Sequence, residues 1–176
     1  KKVSPTAPSF TLAMQDRHAV AWAEINDDGK LDVFITRGAL GGTLKAMPED
    51  VARGIRDELL VSQPDGRYAD ITVESGIEKK DCSGRHAQWV DFDGDGRLDL
   101  FVNCYDRENV PGDYPKQLYR QDSTHRFHDV ATEVGLAVPK QQIGSFAWVD
   151  VDKDGLRDLV TFQNEGFFLY RNHGGR

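Results

Sequence analysis

The feature that most constrains this chain is an acidic stretch carried three times, each copy introduced by a tryptophan and left through an apolar run: Trp22 to Phe34, Trp89 to Phe101 and Trp148 to Val160. Counting from two residues after the tryptophan, oxygen-bearing side chains fall at positions 1, 3, 5 and 9, and a glycine at position 6. They are Glu24, Asn26, Asp28 and Asp32 with Gly29; Asp91, Asp93, Asp95 and Asp99 with Gly96; and Asp150, Asp152, Asp154 and Asp158 with Gly155. Carboxylates this close repel one another unless a cation sits among them. Calcium takes about six to eight oxygens, and the four side chains plus the main-chain carbonyl at position 7 (Lys30, Arg97 or Leu156) nearly fill that shell. The spacing therefore predicts Ca2+ at the second and third loops, and a third site at the first loop, where Glu24 and Asn26 replace aspartates.

An EF-hand loop begins in the same way but needs a Glu at position 12 and flanking helices. Position 12 here is Ile35, Val102 or Thr161, and none offers a carboxylate. The flanks, such as Leu98 to Val102, are short β-branched or aromatic runs without helical period. Each loop is thus expected at the tip of a β-hairpin, for example His18 to Glu24 returning through Leu31 to Thr36.

A second repeated element follows each loop. Asp57 to Ile77 aligns without gaps on Lys116 to Leu136, pairing Leu59-Leu60-Val61 with Leu118-Tyr119-Arg120 and Tyr68-Ala69-Asp70-Ile71 with Phe127-His128-Asp129-Val130. A third copy starts at Leu169-Tyr170-Arg171. Turn residues between the paired runs make this half a hairpin as well. Four short strands per unit, repeated in tandem, form the pattern of a propeller blade. The expected fold is all-β, with four-stranded antiparallel blades: residues 15–77 as blade 1 with a helical insertion at 38–58, 82–136 as blade 2, and 143–176 as an incomplete blade 3, together one partial propeller domain over 1–176. Within the insertion, Pro48 and the spacing of Val51, Ile55 and Leu59 suggest a short surface helix.

The motifs resemble the FG-GAP/VCBS repeat family: Ala147-Trp148, Asp150 to Leu159, Leu169-Tyr170-Arg171-Asn172, Phe127-His128-Asp129-Val130 and Gly135-Leu136. The segment Arg37 to Gly42 is similar to the branch containing cartilage acidic protein. The resemblance implies an integrin α-like calcium-binding propeller repeat, usually extracellular or on the cell surface and non-catalytic. About three blades are present where propellers close with about four to eight. The chain is accordingly expected to belong to a larger propeller, the alternative being a ring closed with copies of itself.

Other features fit around this frame. The 39% apolar content of 176 residues suffices for a packed core, and no apolar run is long enough to cross a bilayer. The net charge of −7 counts against nucleic acid as a partner, yet three divalent ions would bring it to −1. Cys82 and Cys104 fall on opposite arms of the second hairpin, so either a disulfide or two buried thiols is expected. The three tryptophans are read as packing between blades rather than as a glycan platform. No nucleophile elbow, P-loop or dinucleotide fingerprint occurs. The expected function is therefore a non-catalytic calcium-binding module for adhesion or protein recognition, secreted, at the cell surface or periplasmic. Its ions would act as structural clamps, and its partner would be a protein, matrix or glycan recognised through the 38–58 insertion. A propeller domain of a carbohydrate-active or other secreted enzyme is the alternative.

Overall fold

The computed structural model describes residues 17–37, 57–77, 84–104, 116–137, 143–163 and 166–175. Over these residues the chain is all-β, in three antiparallel sheets. The first sheet runs in chain order through β1 (Arg17–Ala23), β2 (Asp32–Arg37), β3 (Glu58–Ser62) and β4 (Tyr68–Asp70). The second repeats it with β5 (Gly84–Val90), β6 (Asp99–Cys104), β7 (Gln117–Gln121) and β8 (Phe127–Asp129). The third holds β9 (Ile143–Val149), β10 (Asp158–Gln163) and β11 (Gly166–Tyr170). Each is a meander of adjacent strands, as a propeller blade requires.

The second strand of the first two sheets is buried along its whole length, Asp32-Val-Phe-Ile-Thr-Arg37 and Asp99-Leu-Phe-Val-Asn-Cys104. Side chains alternate between faces, so burial of every residue places apolar material on both sides of these strands. Phe34, Leu59 and Val61 of the first sheet share one cluster with Leu100, Val102 and Tyr119 of the second. Phe101 and Leu118 point the other way, into a cluster with Trp148 and Leu159 of the third. Phe34 is thus the forward residue of the first sheet and Val33 its backward one. Val33, Ile35 and Leu60 form a separate small cluster with Tyr68 on the backward face.

The tryptophans join the sheets. The Trp89 ring lies 6.4 Å from Phe34 and its Nε1 donates to the Ala21 carbonyl at 3.0 Å. Trp148 stands 5.6 Å from Phe101, edge to face. Trp22, at the equivalent place in the first sheet, has no described sheet behind it and is 49% exposed, resting edge-on against Tyr68 of its own sheet. Interblade packing therefore holds for two of the three. Polar links repeat too: Gln121 Nε2 donates to the Ile25 carbonyl at 2.8 Å and Asn172 Nδ2 to the Phe92 carbonyl, each reaching back to the preceding loop.

The second hairpin has the register expected of a tip near residues 94–95, with Trp89 opposite Leu100 and Ala87 opposite Val102. Cys104 is disulfide-bonded; Cys82, the only other cysteine, lies outside the described residues. The helix expected within 38–58 also lies outside them, except at its end. There Glu58 and Leu59 are the first residues of β3, and Leu59 is buried against the second sheet rather than on a helical face. Its partners across the sheets outweigh a three-residue apolar period.

Candidate metal centres

Each acidic stretch is a hairpin tip between the first and second strands of its sheet, and the three tips share one hydrogen-bonding frame. The position 1 carboxylate folds over the loop and accepts main-chain N–H groups. Glu24 Oε1 takes Asn26 and Asp28 at 3.0 and 3.2 Å. Asp91 Oδ1 takes Gly94 and Asp95 at 2.8 and 3.1 Å, and its Oδ2 takes Gly96 at 3.0 Å. Asp150 takes Asp154 and Gly155 at 3.2 and 3.0 Å. At position 5, Asp28, Asp95 and Asp154 each accept the N–H two residues on, at 2.9 Å.

The chain reaches this geometry through two left-handed residues per tip. Position 6 is always glycine, with φ of 77, 89 and 95° at Gly29, Gly96 and Gly155. Position 4 also has positive φ in all three tips, but is Asp27, Gly94 and Lys153. A lysine here is strained, since the left-handed region costs about 1–2 kcal/mol for residues with a Cβ.

The position 9 aspartates are fully buried and bind both ways. Oδ2 of Asp32, Asp99 and Asp158 accepts the position 2 N–H of Ile25, Phe92 and Val151 at 3.3, 3.1 and 3.2 Å. Oδ1 accepts the N–H of Ser62, Gln121 and Asn172 from the third strand or just beyond it, each at 2.8 Å. One side chain thereby ties the loop to the third strand. Burial pushes the Asp99 carboxyl up to about 7 against the pull of the Gln121 and Phe92 N–H groups, and it raises Asp32 as well.

Carboxylate oxygens converge in two of the tips. Among the described residues, Asp91, Asp93 and Asp99 bring ligand atoms within 4.8 Å of one another, as do Asp150, Asp152 and Asp154. Asp95 and Asp158 stand outside these groups, Asp95 being paired with the Arg97 side chain. No such group forms at the first tip, where position 3 is Asn26. With its amide nitrogen turned inward, Asn26 donates to Asp28 Oδ1 and Glu24 Oε1 at 3.2 and 3.1 Å, bridging the two acids.

Two arginines not singled out by the loop pattern belong to the sites. Arg120 Nε lies 2.9 Å from Asp93 Oδ2, with its guanidinium over the Phe92 ring, and Arg171 pairs with Asp152. They are the repeat-equivalent arginines of Leu118-Tyr119-Arg120 and Leu169-Tyr170-Arg171. The first sheet has Val61 there, and its tip has the uncharged Asn26 at position 3. The signal lay in that covariation: where position 3 is charged, the third strand ends in a counter-charge.

Residues 91–161 match the family model of the FG-GAP-like repeat, a span that takes in the second and third tips and β6 to β9. No curated protein matches the chain.

Proposed function

Since residues 91–161 match the family model of the FG-GAP-like repeat, we propose that the chain is a propeller module whose hairpin tips hold calcium as structural clamps, serving recognition rather than catalysis. The observation that carries this reading is the convergence of three carboxylates in each of two tips, on a frame that recurs in all three. Two oxygens on one ion at about 2.4 Å are at most about 4.8 Å apart, and both groups meet that limit. Bound there, calcium would supply the positive charge that clustered carboxylates require.

Asp91, Asp93 and Asp99 would hold the ion in the second tip, joined by Asp95 once it leaves Arg97. Asp150, Asp152 and Asp154 would hold it in the third. Glu24, Asn26 and Asp28 form the weakest site, because Asn26 removes one negative charge and its amide can already bridge its neighbours. Position 9 serves the frame first, through its two N–H partners. Protein oxygens account for most of a calcium shell at each tip, which favours a clamp over a reactive centre.

The recognised partner is proposed to be a protein, matrix component or glycan, in an extracellular, cell-surface or periplasmic setting. The disulfide at Cys104 fits an oxidising compartment, and millimolar calcium is available outside the cell. Calorimetric titration of EDTA-treated protein tests the site reading. Two strong calcium equivalents and a weaker third are expected, with the two strong ones lost in an Asp93→Asn, Asp152→Asn double variant. Absence of binding heat together with an unmoved melting temperature would remove the proposal.

A further inference from the structure

We propose that Asp28 and Gly29, in the first tip, form a site of spontaneous isoaspartate formation, and that the other Asp-Gly pairs of the chain are held against the same reaction. The inference is independent of whether the tips hold ions. There are five such pairs: Asp28-Gly29, Asp65-Gly66, Asp93-Gly94, Asp95-Gly96 and Asp154-Gly155. A glycine after the aspartate favours this chemistry, because without a Cβ its amide nitrogen is unshielded and its backbone turns freely.

The pose of the carboxyl does not separate the five. Each aspartate accepts the N–H two residues on, Asp28 from Lys30, Asp65 from Arg67, Asp93 from Asp95, Asp95 from Arg97 and Asp154 from Leu156, at 2.9 to 3.3 Å. Every carboxyl is therefore folded over the glycine amide between. The glycine N–H does separate them. Gly66 donates to the Gln63 carbonyl at 3.0 Å. Gly94 and Gly96 donate to Asp91 at 2.8 and 3.0 Å, and Gly155 to Asp150 at 3.0 Å. Among the described residues, the Gly29 N–H has no acceptor. The cause is position 1, where Glu24 engages Asn26 and Asp28 through Oε1, while Asp91 and Asp150 turn Oδ2 to position 6. Residues 27–29 are exposed, and a Cβ on Gly29 would meet nothing within 4 Å, so no neighbour crowds the reacting atoms.

In the reaction the Gly29 nitrogen attacks Cγ of the protonated Asp28 carboxyl. An N–Cγ bond forms, a Cγ–O bond breaks, and the hydroxyl leaves as water with the amide proton, closing a succinimide ring. Water then opens the ring. Attack at Cγ restores aspartate; attack at the former main-chain carbonyl leaves Gly29 joined through Cγ, as isoaspartate. No oxidant and no reactant besides water enters. To attack, the amide must release its proton and turn its plane toward Cγ, and a hydrogen bond opposes both, by about fivefold for one ordinary bond. The product has an extra main-chain carbon between positions 5 and 6 and carries its free carboxylate on Cα, so the Lys30 N–H loses the acceptor it has in Asp28 Oδ1.

The test holds the whole chain in EDTA at mildly acidic pH, which keeps its outcome separate from that of the calcium reading. Peptide mapping after incubation in heavy-oxygen water follows isoaspartate at each Asp-Gly pair, since every opened ring takes up the label. Relative to its rate in concentrated urea, where structure no longer distinguishes the pairs, Asp28 is expected to convert about fivefold faster than Asp65, Asp93, Asp95 and Asp154. Glu24→Asp gives the first tip the position 1 residue of the other two and should slow conversion at Asp28 about fivefold. Asp28→Glu, which would need a larger ring, should remove the product there. Conversion at Asp28 no faster than at the other four overturns the proposal, as does a folded chain that forms no isoaspartate at Asp28. A rate unchanged by Glu24→Asp overturns the assignment of the difference to the unbonded Gly29 N–H.

Discussion

A lysine held at φ 65° beside two aspartates shows how the tips divide their tasks between side chains and backbone. Position 4 donates no ligand atom in the frame, yet it must be left-handed for the N–H groups of positions 5 and 6 to reach the position 1 carboxylate. Gly94 fills the place without strain, whereas Lys153 does not. Lys153→Gly is expected to stabilise the protein by about 1 kcal/mol, or roughly 2–4 °C in melting temperature for a chain of this size. Thermal unfolding checks it; a lower melting point would mean that the lysine side chain contributes something the φ angle hides. The reverse change is worse than strain alone, because a Cβ on Gly94 would stand 3.1 Å from Leu156 Cδ2 of the next tip.

Asp99 gives the second residue-scale prediction. Its folded carboxyl titrates at about 7, above the ordinary value of 3.8, so between those values the folded state binds more protons than the unfolded one. Stability of this kind is fully present below the unfolded pKa and is lost as pH rises through the folded one. In EDTA the melting temperature should therefore fall between about pH 4 and pH 7, and Asp99→Asn, neutral throughout, should reduce the slope. A melting temperature that rises over that window would contradict the sign.

At the scale of the elements, the sheets were legible because two signals agree: apolar runs of strand length, and turn residues at fixed offsets between them. The tips were legible for the same reason, since position 6 glycine and alternate acids are requirements of local geometry. What sequence could not show was neighbourhood. Trp22, Trp89 and Trp148 are equivalent by repeat, yet among the described residues only the latter two have a sheet behind them, and burial depends on that sheet rather than on the residue. Likewise the double hydrogen bonding of Asp32, Asp99 and Asp158 depends on the third strand or the residues just beyond it, 30 residues away at Ser62 in the first sheet. A position predicted as a metal ligand proved also to be a fold residue. The difference among the tryptophans is measurable. Trp89→Ala should cost about 3 kcal/mol, the lower range for a truncated core tryptophan, plus an unpaired carbonyl at Ala21. Trp22→Ala, at a ring 49% exposed, should cost well under half of that. Equal losses in chemical denaturation would show that the first sheet is covered after all.

At the scale of the whole molecule, charge and cohesion are linked through the tips. Twelve of the 29 acidic residues lie in three loops, counting Asp27, and among the described residues Arg97, Arg120 and Arg171 pair with them. Arg120 and Arg171 each neutralise one carboxylate of their site, so the second and third tips keep some order without metal, whereas a group of three acids still exceeds one guanidinium. Calcium should therefore raise stability in proportion to the logarithm of its concentration above the dissociation constant, with magnesium less effective because it demands smaller, near-octahedral geometry. The gain should be shared between sheets, because Asn172 just after β11 bonds to the carbonyl of Phe92 in the second tip, and Gln121 at the end of β7 to that of Ile25 in the first. The expected outcome is a single cooperative melting transition that calcium moves upward as a whole, read by calorimetry with and without EDTA. Two transitions, only one of them calcium-dependent, would mean that the tips stiffen their own hairpins without holding the sheets together.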